Sequence, residues 1–358
     1  MLQLTVQMVF GNGGAKHSMA MIGRASGCLF GLACGDTLGA ETEFLPVDEI
    51  RRRYPPNGPQ EPPGNPARVT DDTQMALAVA DALAAVPHPY TAATLEPYLR
   101  RAFVDWSVSP DNDRAPGMTC LTACHRLEQG LPWYEATVMA SKGCGASMRV
   151  APVGLLSLAC DGVDEETRAA AAQFQAALTH GHPTALAASD LTAATVAALV
   201  AGEDLMALPQ RLRAYAEAQR TVYHADWLGR LWQRPGVSSP GKFIARGWDE
   251  CIAVLDRLDR ALARRDREAD PCLDTGDGWI AEEAFATGLL CFLLYPDDPV
   301  AAVRRAALTR GDSDSIACLA GAFAGAAHGI GAWPRSWIDH IEYHDHLEAL
   351  GKRWDVPS

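Results

Sequence analysis

Four glycines recur at every fourth position of one apolar stretch near the start of the chain: Gly27, Gly31, Gly35 and Gly39. This spacing places them on one face of a helix, which we expect to run from about Ile22 to Leu38. Each glycine costs about 1 kcal/mol of helix stability relative to alanine, so a row of them indicates that another backbone passes very close. A late segment carries a matching stripe of small residues, Ala317, Gly321 and Gly325. The pattern predicts that these two distant helices pack against each other.

Two short acidic stretches each stand where a helix is expected to begin, since apolar residues at helical spacing follow both. They are Thr70-Asp71-Asp72-Thr73 and Gly311-Asp312-Ser313-Asp314-Ser315. One such stretch alone is accounted for by the helix dipole and free N–H groups, which favour carboxylates there, with Thr70 or Asp71 as the cap. Two of them indicate a shared cleft, in which four carboxylates repel one another unless cations lie between them.

The residue types in the acidic stretches indicate which ions would suit such a cleft. Every donor is an oxygen, and hard divalent ions such as Mg²⁺ or Mn²⁺ prefer oxygen ligands. Neither stretch contains His or Cys, which disfavours zinc. Packing of the glycine helix on the late helix would also bring Asp36 and the following loop toward the cluster. In that loop, Glu41 and Glu43 are candidate acids or bases, against the alternative of solvated glutamates.

Two further segments carry candidate binding residues. The small-residue loop from Ser141 to Arg149 leaves backbone N–H groups accessible and can cradle a pyrophosphate, although no βαβ pattern follows it. We expect Arg149 to order this loop or neighbouring carboxylates. An alanine-rich helical stretch is interrupted at His180 and His182. One of these histidines is expected to point into the site, or equally to serve as a polar core residue.

The whole chain is consistent with one all-α domain. It has 358 residues, of which 48% are hydrophobic, and contains no convincing strand set, fixed-period repeat or long linker. A net charge of −13 disfavours nucleic-acid binding. No apolar run approaches the roughly 18 residues of a membrane span, and the N-terminus lacks the features of a signal peptide. We therefore expect a soluble, cytoplasmic protein without membrane contact, whose ten cysteines are mostly buried free thiols.

Taken in order, five motifs resemble those of the ADP-ribosylglycohydrolase family. They are GCLFGLACGDTLGAETE (27–43), TDDTQM (70–75), SKGCGASMRVAPVG (141–154), LTH (178–180) and GDSDSIACLAGAFAGAAHG (311–329). The resemblance implies a single-domain helical fold over residues 21–358, with residues 1–20 as an extension of uncertain order. It also implies a binuclear Mg²⁺ or Mn²⁺ centre that serves hydrolysis of the bond between ADP-ribose and an acceptor.

The resemblance further implies a role for individual residues. The implied metal ligands or their immediate supports are Thr70, Asp71, Asp72, Asp312, Asp314 and Ser315. The implied ADP-ribose contacts are Gly117, Ser141, Gly143, Gly145 and His180. Glu43 aligns with a glutamate on a mobile loop of the family, whereas Glu41 falls at a variable position. Asp72 or Glu43 would accept the proton from the attacking water, and the sequence does not choose between them.

Departures from the family pattern bear on the substrate. The GDSDS form of the late motif is more similar to arginine-directed members, although many members carry threonine at the position of Ser315. Cys144 stands where some members carry asparagine. We expect the substrate to be ADP-ribosyl-arginine on a protein. The alternatives are ADP-ribosyl-serine, O-acetyl-ADP-ribose or another ADP-ribose conjugate, or a non-catalytic protein that binds ADP-ribose or blocks a toxin.

Overall fold

A computed structural model describes residues 23–159 and 163–355, so the extension expected over residues 1–20 lies outside the described part of the chain. The α-helices are α1 (Arg24–Ala40), α2 (Val47–Arg53), α3 (Asp71–Ala85), α4 (Ala92–Ser107), α5 (Met118–Glu128), α6 (Trp133–Ala136), α7 (Ala151–Gly154), α8 (Leu156–Ala159), α9 (Glu165–Ala177), α10 (Pro183–Val200), α11 (Leu208–Gln219), α12 (Ala225–Leu228), α13 (Pro240–Arg264), α14 (Cys272–Thr275), α15 (Ala281–Leu294), α16 (Pro299–Ala307), α17 (Ser313–His328), α18 (Arg335–His340) and α19 (His344–Asp355). Two 3₁₀ turns span Cys144–Ala146 and Ile330–Ala332.

The all-α prediction is confirmed. Within the described residues no strands pair into a sheet, and extended segments meet only at isolated bridges. One of these bridges pairs Gly143 with Ile280 and thereby joins the small-residue loop to the segment before α15.

The predicted packing of the two small-residue helices is also confirmed, because α1 and α17 touch backbone to backbone. A Cβ placed on Gly321 would lie 1.9 Å from the carbonyl oxygen of Gly31, and one on Gly325 would lie 1.9 Å from that of Gly27. At the other end, a Cβ on Gly39 would lie 2.2 Å from the carbonyl oxygen of Ser313. The C-terminal end of α1 therefore rests directly on the acidic start of α17.

Helix α10 forms part of the core. By length and composition alone it could cross a membrane, with a mean hydropathy of 1.4 over 18 residues, but that whole window is buried inside the protein. It packs against α9, α13 and α15. Its buried Asp190 accepts hydrogen bonds from Gln173 Nε2 at 2.9 Å and from the Tyr215 hydroxyl at 2.7 Å. The composition of α10 is thus that of a helix surrounded by other helices.

The cysteines within the described residues are all free thiols. All are buried except Cys144, which is partly exposed, and Cys160 lies outside the described residues. The expectation of mostly buried free thiols is confirmed for the described cysteines.

Candidate functional site

The first acidic stretch is held in place by α1. Thr70 is the N-cap of α3, and its Oγ1 accepts a hydrogen bond from the backbone N–H of Asp72 at 3.2 Å. The same hydroxyl donates to Asp36 Oδ1 at 2.7 Å, and the Thr73 hydroxyl donates to the other oxygen of Asp36. The backbone N–H groups of Thr70 and Thr73 also donate to Asp36. The fully buried Asp36 therefore fixes the first turn of α3.

The second acidic stretch is held by two loops. The backbone N–H of Asp312 donates to the carbonyl oxygen of Asp277 at 2.7 Å. The hydroxyl of Ser313 donates to the carbonyl oxygen of Gly39 at 2.9 Å. Thr42 Oγ1 lies 3.0 Å from Ser313 Oγ and 2.6 Å from the carbonyl oxygen of Ala307. These contacts tie the loop that carries Glu43 to the start of α17.

The carboxylates of these segments converge. Ligand oxygens of Glu43, Asp312 and Asp314 all lie within 4.8 Å of one another. Asp71 and Asp72 line the same cavity, whose volume is about 300 Å³. The cavity is also lined by Phe44, Ala115, Gly117, Met118, Thr119, Cys120, Gly143, Cys144, Gly145, Met148, His180, Trp279 and Ser315. The two helix starts therefore meet in one cleft, as expected.

Burial raises the pKa of every carboxyl group in this cluster, and repulsion from neighbouring carboxylates adds to the rise for all of them except Asp314. Burial, then the charges of Asp314 and Asp71, raise the pKa of Glu43 to about 8. Burial followed by the charge of Asp314 raises the pKa of Asp71 to about 7, and the same causes place the pKa of Asp72 well above its ordinary value. Burial and the charge of Asp314 also raise the pKa of Asp312 well above its ordinary value. The cluster therefore lacks positive charge to balance its ionised form.

The donor set fits divalent cations. All of its charged donors are carboxylate oxygens, which hard cations prefer, and Oδ2 of Asp72 is buried without a hydrogen-bond partner. A buried acceptor left unpaired is costly unless something occupies it. An ion at this position would satisfy that atom and remove the repulsion among its neighbours.

Two of the predicted site residues do not line the cavity. The Thr70 hydroxyl already donates to Asp36 and accepts from Asp72, so its place is that of a support for the acidic stretch. Ser141 Oγ lies 2.9 Å from Thr119 Oγ1 and accepts from the backbone N–H of Gly143 at 3.4 Å. Ser141 thus braces the small-residue loop from behind.

The remaining predicted contacts do line the cavity. The backbone N–H of Gly117 donates to Asp71 Oδ2 at 3.4 Å. A Cβ on Gly145 would lie 3.3 Å from His180 Nε2, so a side chain larger than that of glycine would crowd the histidine ring. Glu41 lies elsewhere and accepts a hydrogen bond from the Tyr54 hydroxyl.

Arg149 orders the segment that carries His180. Its guanidinium lies over the ring of Phe103 at 4.3 Å and donates to Gln175 Oε1 and to Thr179 Oγ1, each at 2.8 Å. Thr179 Oγ1 lies 2.8 Å from His180 Nδ1. Burial, together with the charge of Arg149, lowers the pKa of His180 to about 3. His180 is therefore neutral near pH 7.

Several residues that line the cavity were not chosen as site residues from the sequence, among them Cys144, Phe44 and Trp279. Cys144 Sγ donates to Asp312 Oδ2 at 2.9 Å, so the thiol sits directly on the acidic cluster. Phe44 and Trp279 line the cavity with stacked rings. The available signals were weak: Phe44 follows Glu43, and Trp279 ends the glycine turn at Gly276-Asp277-Gly278.

Known proteins are similar in sequence to nearly the whole chain. The family model described as ADP-ribosylglycohydrolase matches residues 17–356. The chain is 27% identical to the ADP-ribosyl-[dinitrogen reductase] glycohydrolase of Rhodospirillum rubrum, over 89% of this chain and 90% of that protein. It is 25% identical to the ADP-ribosylarginine hydrolase Tri1 of Pseudomonas putida (92% and 77% covered). It is 26% identical to the human ADP-ribosylhydrolase ARH3 (95% and 94% covered).

A solved structure supports the fold. A chain of an ADP-ribosylglycohydrolase-related protein complex superposes with a TM-score of 0.62 at 23% identity, covering 94% of this chain and 98% of that one. The family model covers nearly the whole sequence. The chain belongs to the ADP-ribosylglycohydrolase family.

Proposed function

We propose that the protein is a divalent-metal-dependent hydrolase that releases ADP-ribose from an arginine side chain of a modified protein. The observation that carries this proposal is the meeting of five carboxylates with a small-residue loop and a neutral histidine in one cavity. The carboxylates suit cations and an electron-poor anomeric carbon, while the loop suits phosphates.

The residues that would hold two Mg²⁺ or Mn²⁺ ions are those of the acidic cluster. They are Glu43, Asp71, Asp72, Asp312, Asp314 and the hydroxyl of Ser315, with Thr70 as a support. When bound, the ions supply positive charge that orients ribose hydroxyls and lowers the pKa of a nearby water.

The chain's own groups account for the rest of the reaction. Cleavage of a glycosidic bond passes through an oxocarbenium-like transition state, which nearby carboxylates stabilise. As water attacks the anomeric carbon and the bond from that carbon to the guanidine nitrogen breaks, Asp72 or Glu43 accepts the proton of the water and the departing guanidine takes up a proton. Asp72 lies at the start of α3 and Glu43 on the loop after α1, and both line the cavity, so both can act as the acceptor.

The phosphate end of the substrate would lie against Gly117, Gly143, Gly145 and His180. If Nδ1 of His180 accepts from the Thr179 hydroxyl, the hydrogen of the neutral ring is on Nε2. Nε2 lies on the side of Gly145 and could donate to a phosphate oxygen there. Ser141 would hold the loop in shape.

The test is ADP-ribose release measured in parallel from an arginine-ADP-ribosylated protein and a serine-ADP-ribosylated peptide, with Mg²⁺, with Mn²⁺ and with EDTA. We expect metal-dependent release from arginine alone. Release from serine alone would move the substrate assignment to the alternative of ADP-ribosyl-serine. Tight binding of ADP-ribose without any turnover would make the protein a binder.

A further inference from the structure

Two aromatic side chains flank the cavity and touch each other. The rings of Phe44 and Trp279 have centroids 5.3 Å apart and planes inclined by 18°, which is a stacked arrangement. Both remain open to solvent, with exposed fractions of 67% for Phe44 and 41% for Trp279. Two large exposed aromatic rings at the entrance of a polar cavity offer a flat surface for a ligand.

The backbone of Phe44 is an additional sign of function. Its φ is 64°, in the left-handed region that bulky residues rarely adopt. Such a conformation persists when its surroundings hold it, and it clusters at ligand-binding sites. Because the side chain is mostly exposed, burial of the ring does not compensate for the strain. The conformation instead directs the ring toward Trp279.

Both residues are fixed beside the acidic cluster. Phe44 directly follows Glu43, and Thr42 holds this loop on Ser313. Trp279 follows a turn in which the carbonyl oxygen of Asp277 accepts a hydrogen bond from the backbone N–H of Asp312. The carbonyl oxygen of Trp279 accepts one from the backbone N–H of Cys144 at 3.2 Å. The aromatic pair is thus attached on both sides to the segments that carry Glu43, Asp312 and Cys144.

The electrostatics of the cavity favour a cationic ligand group. Five carboxylates line it against the four positive charges of two divalent ions, so one negative charge remains, and none of the described lining residues is Lys or Arg. A guanidinium is planar, permanently charged and weakly hydrated, so it stacks well on aromatic faces near negative charge. The glycosidic oxygen of a serine conjugate has neither the plane nor the charge.

We propose that Phe44 and Trp279 form the acceptor subsite and select arginine conjugates by stacking on the guanidinium. This proposal rests on the proposed function and extends it by naming the residues that recognise the acceptor. It separates two parts of the substrate: the small-residue loop and His180 hold ADP-ribose, and the aromatic pair holds the side chain to which ADP-ribose is attached.

The test compares the affinity for ADP-ribosyl-arginine with that for ADP-ribose, in Mg²⁺, with turnover stopped by Asp72→Asn. In this background, Trp279→Leu and Phe44→Leu are expected to weaken binding of the arginine conjugate by about two- to thirtyfold. They should leave the affinity for ADP-ribose within about twofold. Trp279→Phe should restore most of the preference, because it keeps an aromatic face.

Tyr134→Leu is the matched control, since Tyr134 is another exposed aromatic residue that does not line the cavity. An equal loss of affinity for both ligands would overturn the proposal and assign the pair to ADP-ribose itself. Unchanged affinity for both ligands would also overturn it. Turnover of the arginine conjugate by the unmodified protein tests the proposed function separately, so the two ideas can fail independently.

Discussion

At the scale of single residues, Asp36 and Asp72 have different roles at the first acidic stretch: Asp36 holds it in place, and Asp72 is available to bind an ion or a proton. Both carboxylate oxygens of Asp36 accept hydrogen bonds from Thr70 and Thr73. Asp72 is almost fully buried, and one of its oxygens has no partner. A buried carboxylate with a free oxygen destabilises a fold unless it binds something. We therefore expect the charge of Asp72 to serve function and not stability.

Replacing Asp72 with asparagine tests this assignment. We expect Asp72→Asn to reduce turnover by about a hundredfold or more, since an amide cannot accept the proton of water. The fold should persist, because the substitution removes a repulsive charge from the cluster. Rates of ADP-ribose release and thermal melting, measured on the same preparation, check both halves of the expectation.

Asp81→Asn is the control on the same helix. Asp81 lies in α3 but points to solvent, where it contacts His346 Nε2 at 2.7 Å. This variant should keep turnover within about twofold and lose no more than roughly 1 kcal/mol of unfolding free energy. An Asp72→Asn protein that is unfolded, or one as active as the unmodified chain, would contradict the site assignment.

At the scale of elements, the contact between α1 and α17 determines where the site forms. Their backbones meet at Gly27, Gly31, Gly321 and Gly325, with no room for a Cβ. Because the helices meet this closely, Asp36 near the end of α1 reaches the start of α3, and the Glu43 loop reaches the start of α17. The two acidic stretches, far apart in the sequence, thereby become neighbours in space.

Substitution at this contact should be far more damaging than glycine-to-alanine exchange elsewhere. We expect Gly321→Ala to lower the free energy of unfolding by about 3 kcal/mol or more, because a Cβ would lie 1.9 Å from the Gly31 carbonyl oxygen. Denaturant titration measures the loss. Gly331→Ala, where a Cβ would meet nothing within 4 Å, should be nearly neutral. Equal stability of the two variants would mean that the helices are not in backbone contact.

The helix contact was predictable from the sequence because it repeats: glycines every four residues on one segment match small residues at the same spacing on another. The acidic helix starts were predictable for the same reason, since an apolar stripe follows each of them. The stacking of Phe44 on Trp279 was not, because it joins two loops far apart in the chain through a single contact. Nor could spacing show that Thr70 and Ser141 do not line the cavity, since that depends on the partners to which their hydroxyls bond.

At the scale of the whole molecule, the acidic cluster couples stability to pH and to cations. The pKa values of Asp36 and Asp71 are raised to about 7, and that of Glu43 to about 8. Between about pH 4 and pH 8 the folded protein without metal therefore holds protons that the unfolded chain has released. Stability must then fall as pH rises through this window.

Thermal melting in EDTA checks the sign. The melting temperature should fall by at least about 2 °C between pH 5 and pH 8, and added Mg²⁺ or Mn²⁺ should raise it more at pH 8 than at pH 5. Asp71→Asn removes one of the raised groups and should flatten the dependence. A metal effect that is the same at both pH values would show that the cluster does not bind the ions.

We expect two helix starts far apart in the chain to build one centre for two divalent ions, and titration of the metal-free protein with Mn²⁺ measures whether they do. Followed by calorimetry and by the electron paramagnetic resonance signal of free Mn²⁺, the titration should reveal two bound ions per chain. Asp314→Ala, which removes a carboxylate from the start of α17, should abolish or strongly weaken at least one of them, and Asp81→Asn should bind as the unmodified protein does. Absence of bound Mn²⁺, or binding that survives Asp314→Ala unchanged, would rule out a metal centre shared by the two helix starts.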